Sequence, residues 1–141
     1  LRCPLIFHFF RNLESNFIRW HPDHVHFEWI DGDPLQEGTV FQYEEWIFGE
    51  LQKNRVYITT VIPNRYLEFV PVNPAAQIFF PKMMFEMEPL GDSDSLFRTR
   101  FIVQAGSVGK WVFKKYLESY RQHLNEECLN LKEILESDSA S

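Results

Sequence analysis

Between Gly109 and Glu136, apolar or aromatic residues fall at Phe113, Tyr116, Tyr120, Leu124, Leu131 and Leu135, in steps of three, four and seven. That spacing predicts one long amphipathic helix. Upstream the period changes to two. Val25, Phe27 and Trp29 alternate with His26 and Glu28 and predict a half-buried strand closed by the turn Asp31-Gly32-Asp33-Pro34. Four more runs follow on short spacing: Thr39 to Phe48, Arg55 to Ile62, Arg65 to Val70 and, after a break at Pro71 to Pro74, Phe80 to Glu88. Leu96 to Gln104 makes a sixth strand after the turn at 91–95, and the tight connections predict antiparallel hairpins. Residues 4 to 20 mix bulky apolar side chains with Arg11, Glu14 and Arg19 behind Pro4, which predicts one or two short helices. The expected class is α+β: a curved antiparallel sheet of about six strands against a long C-terminal helix.

Composition adjusts this picture modestly. A chain of 141 residues supports one domain, 1–141, with 137–141 expected to fray. Fourteen phenylalanines make an aromatic interior, suited equally to packing and to lining a cavity for an apolar or aromatic small molecule. A formal charge of −6 without a basic stripe argues against a nucleic-acid partner. Cys3 and Cys128 have neither metal-binding spacing nor the number for a disulfide framework, so a cytoplasmic, reducing compartment is expected. No apolar run approaches the roughly 20 residues that span a bilayer, so no membrane partner is expected. The start at Leu1 rather than Met fits a trimmed form of a longer protein. A homodimer is left open.

Chemistry concentrates on the last helix, where His123 and Glu127 are one turn apart at the edge of the apolar stripe and can grip one ion or reacting group. By itself His-x-x-x-Glu is a short motif that also occurs on solvated faces. The stretches WHPDHV, DGDPLQEGTVFQYEEWIFG, VIPNRYLEF and HLNEECLNLKEILE, in that order, give the pair a context. Together they resemble the START-related helix-grip superfamily, the polyketide-cyclase and birch-pollen-allergen type of fold, over roughly residues 18 to 136. The resemblance implies a curved sheet wrapped around the C-terminal helix with an apolar cavity between them. It is strongest to the zinc-dependent diacetylphloroglucinol and phloretin hydrolases, which cleave a carbon–carbon bond between an acyl group and a phenolic ring. By that resemblance the zinc ligands are His24, Glu45, His123 and Glu127.

Two imidazoles and two carboxylates suit Zn²⁺, which polarises a carbonyl or activates water. Strand parity places Phe41, Tyr43, Glu45 and Ile47 on one face and Glu44 on the other, and a carboxylate between Tyr43 and Ile47 needs a cation or donors. Both faces are apolar, so Glu44 remains the alternative. His24 falls on the wrong parity for the core if the strand has already begun there; the expectation is that helix or loop continues to His24, with His21 as the substitute. Phe41, Tyr43, Tyr57, Phe85, Phe101, Tyr116 and Tyr120 are the expected pocket walls, the tyrosines also serving as hydroxyl donors or simple core. The catalytic residues are not identifiable: no Ser-His-Asp order, glycine-rich phosphate loop or placed cysteine nucleophile is present. The leading reading is a zinc hydrolase of acyl-phenol compounds. A metal-free carrier or sensor of a hydrophobic ligand is the alternative, and a metal-free cyclase fits the fold without a residue signature.

Overall fold

The computed structural model describes residues 2–104 and 106–140, with backbone alone at 139 and 140. Its elements run α1 (Cys3–Arg11), α2 (Leu13–Trp20), β1 (His24–Asp31), β2 (Val40–Ile47), β3 (Glu50–Ile62), β4 (Tyr66–Pro71), α3 (Pro74–Phe79), β5 (Lys82–Leu90), β6 (Asp94–Ile102), α4 (Ser107–Val112) and α5 (Lys114–Ala140). The strands form one curved antiparallel sheet in the order β1-β2-β3-β4-β5-β6, every strand beside its sequence neighbour. A sheet apolar on one face and helices apolar on one stripe bury both by packing together.

Local chemistry sets the hairpins. Phe48 and Gly49, at φ 52° and 74°, join β2 to β3. Two left-handed residues in a two-residue loop match the right-handed twist of the flanking strands. The ladder therefore reaches back to Ile47 opposite Glu50, and β3 starts five residues earlier than its β-branched run predicts. The break at 71–74 contains a short helix that the sequence reading missed: Asn73 accepts from the Ala75 N–H at 2.9 Å and Pro74 occupies the first turn, an N-cap and a proline in their preferred places.

The concave face is filled mainly by aromatic rings. Phe10 is fully buried, with ring centroids 5.1 Å from Phe85 and 5.5 Å from Phe97. Phe17, Phe27, Phe41 and Phe69 continue the cluster along the sheet, and Leu124, Leu131 and Leu135 bring α5 onto the same core. The predicted single helix divides at Phe113, which is 53% exposed and does not belong to the buried stripe. α5 runs through Ala140, and Asp138 pairs with Arg19 of α2 at 3.0 Å; Ser141, the end of the expected tail, lies outside the described residues. Among the described residues no helix is long and apolar enough to cross a membrane.

Candidate metal centre

The site begins with an irregularity in β1. His24 pairs with Glu45, but His26 pairs with Glu44, so Val25 is an extra residue opposite the ladder. A bulge of this kind restarts the alternation. His24 and Phe27 are both buried while Val25 and His26 are exposed. The strand therefore does begin at His24, contrary to expectation, and the bulge rather than a loop turns the imidazole inward. Val25 loses the core position that simple alternation gives it.

Glu45 stands directly across from His24 on β2. Glu45 is buried, whereas Glu44 is on the other face with its carboxylate 3.7 Å from the Lys53 amine. From α5 come His123 and Glu127, both buried. Two contacts hold the helix in place there: Trp20 Nε1 donates to the Glu127 carbonyl at 2.9 Å and Asn130 Nδ2 donates to the Trp20 carbonyl at 3.1 Å, while the Trp46 N–H of β2 donates to the Asp23 carbonyl just before β1 at 2.9 Å. The sequence reading missed Trp20 and Asn130. The signal was available, since an indole just before His21-Pro22 has one N–H that must find an acceptor when buried.

The four side chains converge. His24 Nε2 lies 3.5 Å from Glu45 Oε2 and 3.2 Å from Glu127 Oε2; His123 Nε2 lies 3.0 Å from Glu45 Oε2 and 3.4 Å from Glu127 Oε1. Neither imidazole Nε2 has a hydrogen-bond partner of acceptable geometry, although both are buried. Bonds of about 2.05 Å in a tetrahedron put neighbouring ligand atoms about 3.3 Å apart. The four separations bracket that edge length, and the donor set of two nitrogens and two carboxylate oxygens is one that suits Zn²⁺.

The second nitrogen of His24 decides its tautomer. His24 Nδ1 lies 2.7 Å from the Phe17 carbonyl, which can only accept, so Nδ1 carries the proton and Nε2 presents a lone pair to the site. The Phe17 ring stacks on the same imidazole at 3.8 Å and 4°, fixing its plane. His21, the substitute ligand of the sequence reading, is engaged elsewhere. Its Nδ1 accepts the Asp23 N–H at 2.9 Å and its Nε2 faces Glu126 at 3.4 Å. With Asp23 and His123 it forms a second, less buried group of potential ligands, in which the His21 lone pair is already used.

Electrostatics describe a cluster short of positive charge. Burial lowers the His24 pKa to about 4 despite Glu45, so this ring is neutral at pH 7. Burial also opposes charge on His123, but Glu45 and Glu127 outweigh it and hold its pKa above the ordinary value. Glu127 is pushed well above the carboxylate range by burial first and by Glu45 second. Once the protons held by His123 and Glu127 are displaced, two carboxylates and two neutral imidazoles carry −2, which a dication would neutralise.

Beside the cluster lies an apolar cavity of about 60 Å³, walled by Phe17, Trp20, Phe41, Tyr43, Phe85 and Tyr120 with Glu45 and Glu127 at one end. A second chamber of about 190 Å³ shares Tyr43, Phe69, Met83 and Tyr120 with the first and adds Asn54, Phe80 and Phe101. Five of the expected pocket residues thus line one chamber or both: Phe41, Tyr43, Phe85, Phe101 and Tyr120. Tyr57 does not, because it pairs with Val40 on the outer face while its neighbours Val56 and Ile58 take the inner one. Tyr116 lines neither; it is half-buried one turn from Tyr120, its ring stacked on it at 6.4 Å. Tyr43 and Tyr120 are held well above the ordinary phenol pKa by burial and then by the surrounding anions and phenols. Both are donors at any physiological pH.

No model of a known family matches the sequence, and no curated protein matches it. Solved structures do. Protein NE0264 from Nitrosomonas europaea aligns with a TM-score of 0.72 at 14% identity, covering 100% of this chain and 91% of that one. Zhui aromatase/cyclase from a Streptomyces species aligns at 0.71 and 13%, covering 96% and 87%. The ginseng major latex-like protein 151 from Panax ginseng aligns at 0.62 and 12%, covering 91% and 85%. At these identities the likeness establishes the helix-grip fold alone.

Proposed function

We propose that this helix-grip domain binds an apolar or aromatic small molecule against a divalent metal centre, with Zn²⁺ the best-suited ion, and hydrolyses an acyl-phenol carbon–carbon bond there. The observation that carries the reading is the meeting of two unpartnered imidazole Nε2 atoms with two carboxylates at 3.0–3.5 Å in a buried cage. His24, Glu45, His123 and Glu127 would hold the ion. It would supply Lewis acidity toward a carbonyl oxygen and activation of water. In balance, the acyl–ring bond and water give a carboxylic acid and a ring that gains a hydrogen. Among the chain's own groups, the Tyr43 and Tyr120 hydroxyls donate to a phenol or carbonyl oxygen in the cavity, and the phenylalanine walls orient a ring and exclude bulk water. Glu127, raised by burial, releases its proton as a cation arrives. The resemblance to zinc-dependent acyl-phenol hydrolases and the aromatase/cyclase among the structural neighbours both support an aromatic ligand.

Size limits the ligand. Pockets for drug-sized molecules run about 300–1,000 Å³, so a two-ring ligand needs both chambers, whose shared walls Tyr43 and Tyr120 have to move to admit it. Metal analysis of the purified protein tests the proposal. One equivalent of zinc, lost in His123→Ala, is expected; a protein that stays free of transition metal after zinc is offered leaves only a carrier of hydrophobic ligands.

A further inference from the structure

We infer that α4 and the start of α5 dock on an anionic lipid surface. Val108, Trp111 and Val112 are spaced i, i+3, i+4, a single helix face, and they are 76%, 77% and 60% exposed. Phe113 extends the patch at the kink. An indole turned almost wholly to solvent beside two valines and a phenylalanine is an apolar surface of the kind that marks an interaction site. Charge identifies the partner. Lys110, Lys114 and Lys115 stand within two residues of the patch in the chain, and from Ser95 to Leu117, up to Glu118, there are five cations and no carboxylate, although the whole protein carries −6. Arg98 and Arg100 are answered by Glu86 and Glu88 across the sheet; the three lysines have no ion pair among the described residues. The absence of a basic stripe over the whole sequence thus conceals a local one.

Lysines around a Trp-centred apolar face make a short interfacial anchor, with the rings buried at the headgroup boundary and the amines on anionic headgroups. Its position relates to the cavity. From Lys114 to Tyr120, a wall of both chambers, is six residues of α5, about 9 Å along the helix. A ligand dissolved in the bilayer would then have a short path to the chambers, a route that rests on the ligand reading above, whereas the docking itself does not.

Co-sedimentation of the full chain with vesicles of phosphatidylcholine alone and with 30% phosphatidylserine, at low and at 0.5 M salt, tests this. Binding is expected to the anionic vesicles alone, with a blue shift of tryptophan emission and weakening at high salt. Each substitution of Lys110, Lys114 or Lys115 by Ala should weaken it about fivefold, and Trp111→Ala should remove the emission shift. All four are exposed, so unfolding midpoints and zinc content should match the parent, which separates this test from the fate of the metal site. No binding to anionic vesicles overturns the inference, as does a concentration-dependent dimer abolished by Trp111→Ala, which would assign the face to a second copy of the chain.

Discussion

The buried carboxylate of Glu127 is the residue on which the site's proton chemistry turns. Its pKa is raised above the ordinary 4.5 and that of His123 above 6.5, so without a cation both tend to hold protons that a cation must displace. Zinc affinity is therefore expected to rise with pH, and calorimetry in buffers of different ionisation enthalpy should detect protons released on binding. Identical affinity at pH 6 and pH 8 would count against this. Glu127→Gln supplies neither the anion nor the proton, and its loss of zinc affinity should exceed the roughly 10–100-fold typical of removing an outer-shell partner. Trp20→Phe keeps an aromatic ring but removes the indole N–H from the Glu127 carbonyl, which keeps its bond within the helix; the lost hydrogen bond should cost about 0.5–1.5 kcal/mol, readable in urea midpoints.

At the scale of elements, the β1 bulge is what makes the cage possible. A regular strand would put His24 and Phe27, three residues apart, on opposite faces; deleting Val25 leaves them two apart, so the deletion variant should form a regular ladder that still turns both inward and should still bind zinc. A folded deletion variant that has lost zinc binding would contradict this account of the bulge. The β3–β4 pair carries a separate pH response. Glu68 accepts from Thr59 at 2.6 Å and from Tyr66 at 2.8 Å, with Lys82 nearby at 3.4 Å; the Thr59 hydrogen bond foremost, opposed by burial, holds its pKa below the ordinary 4.5. A depressed folded pKa stabilises above the unfolded value and is lost as pH falls through the folded one. Stability of the parent relative to Glu68→Gln should therefore be level above pH 4.5 and decline below it, as measured by urea denaturation at each pH. These elements also show how far the sequence could be read. Period and turn residues revealed the six strands, and parity chose Glu45, because alternation is a property of regular backbone. The bulge and the helix break at Phe113 were hidden because they depart from that regularity, and Tyr57 was misassigned because ring chemistry was weighed over its parity with Val56 and Ile58.

For the molecule as a whole, core and cavity are one structure. Phe10 has no exposed surface and lines the smaller chamber, so Phe10→Ala should cost about 3–5 kcal/mol in unfolding free energy while enlarging the space available to an aromatic ligand. A cooperative unfolding midpoint unchanged by that substitution would mean the aromatic cluster is looser than its ring contacts indicate. The likeness to cyclase and latex-like proteins extends over nearly the whole chain, yet such a fold hosts many chemistries, and the proposed one depends on four side chains. Zinc titration of the chelator-stripped protein, followed by calorimetry and elemental analysis, tests those four most directly. One equivalent per chain, abolished in His24→Ala, Glu45→Gln and His123→Ala variants that retain the parent's circular dichroism, is expected; binding of less than about a tenth of an equivalent, or one equivalent kept by all three variants, would contradict the account.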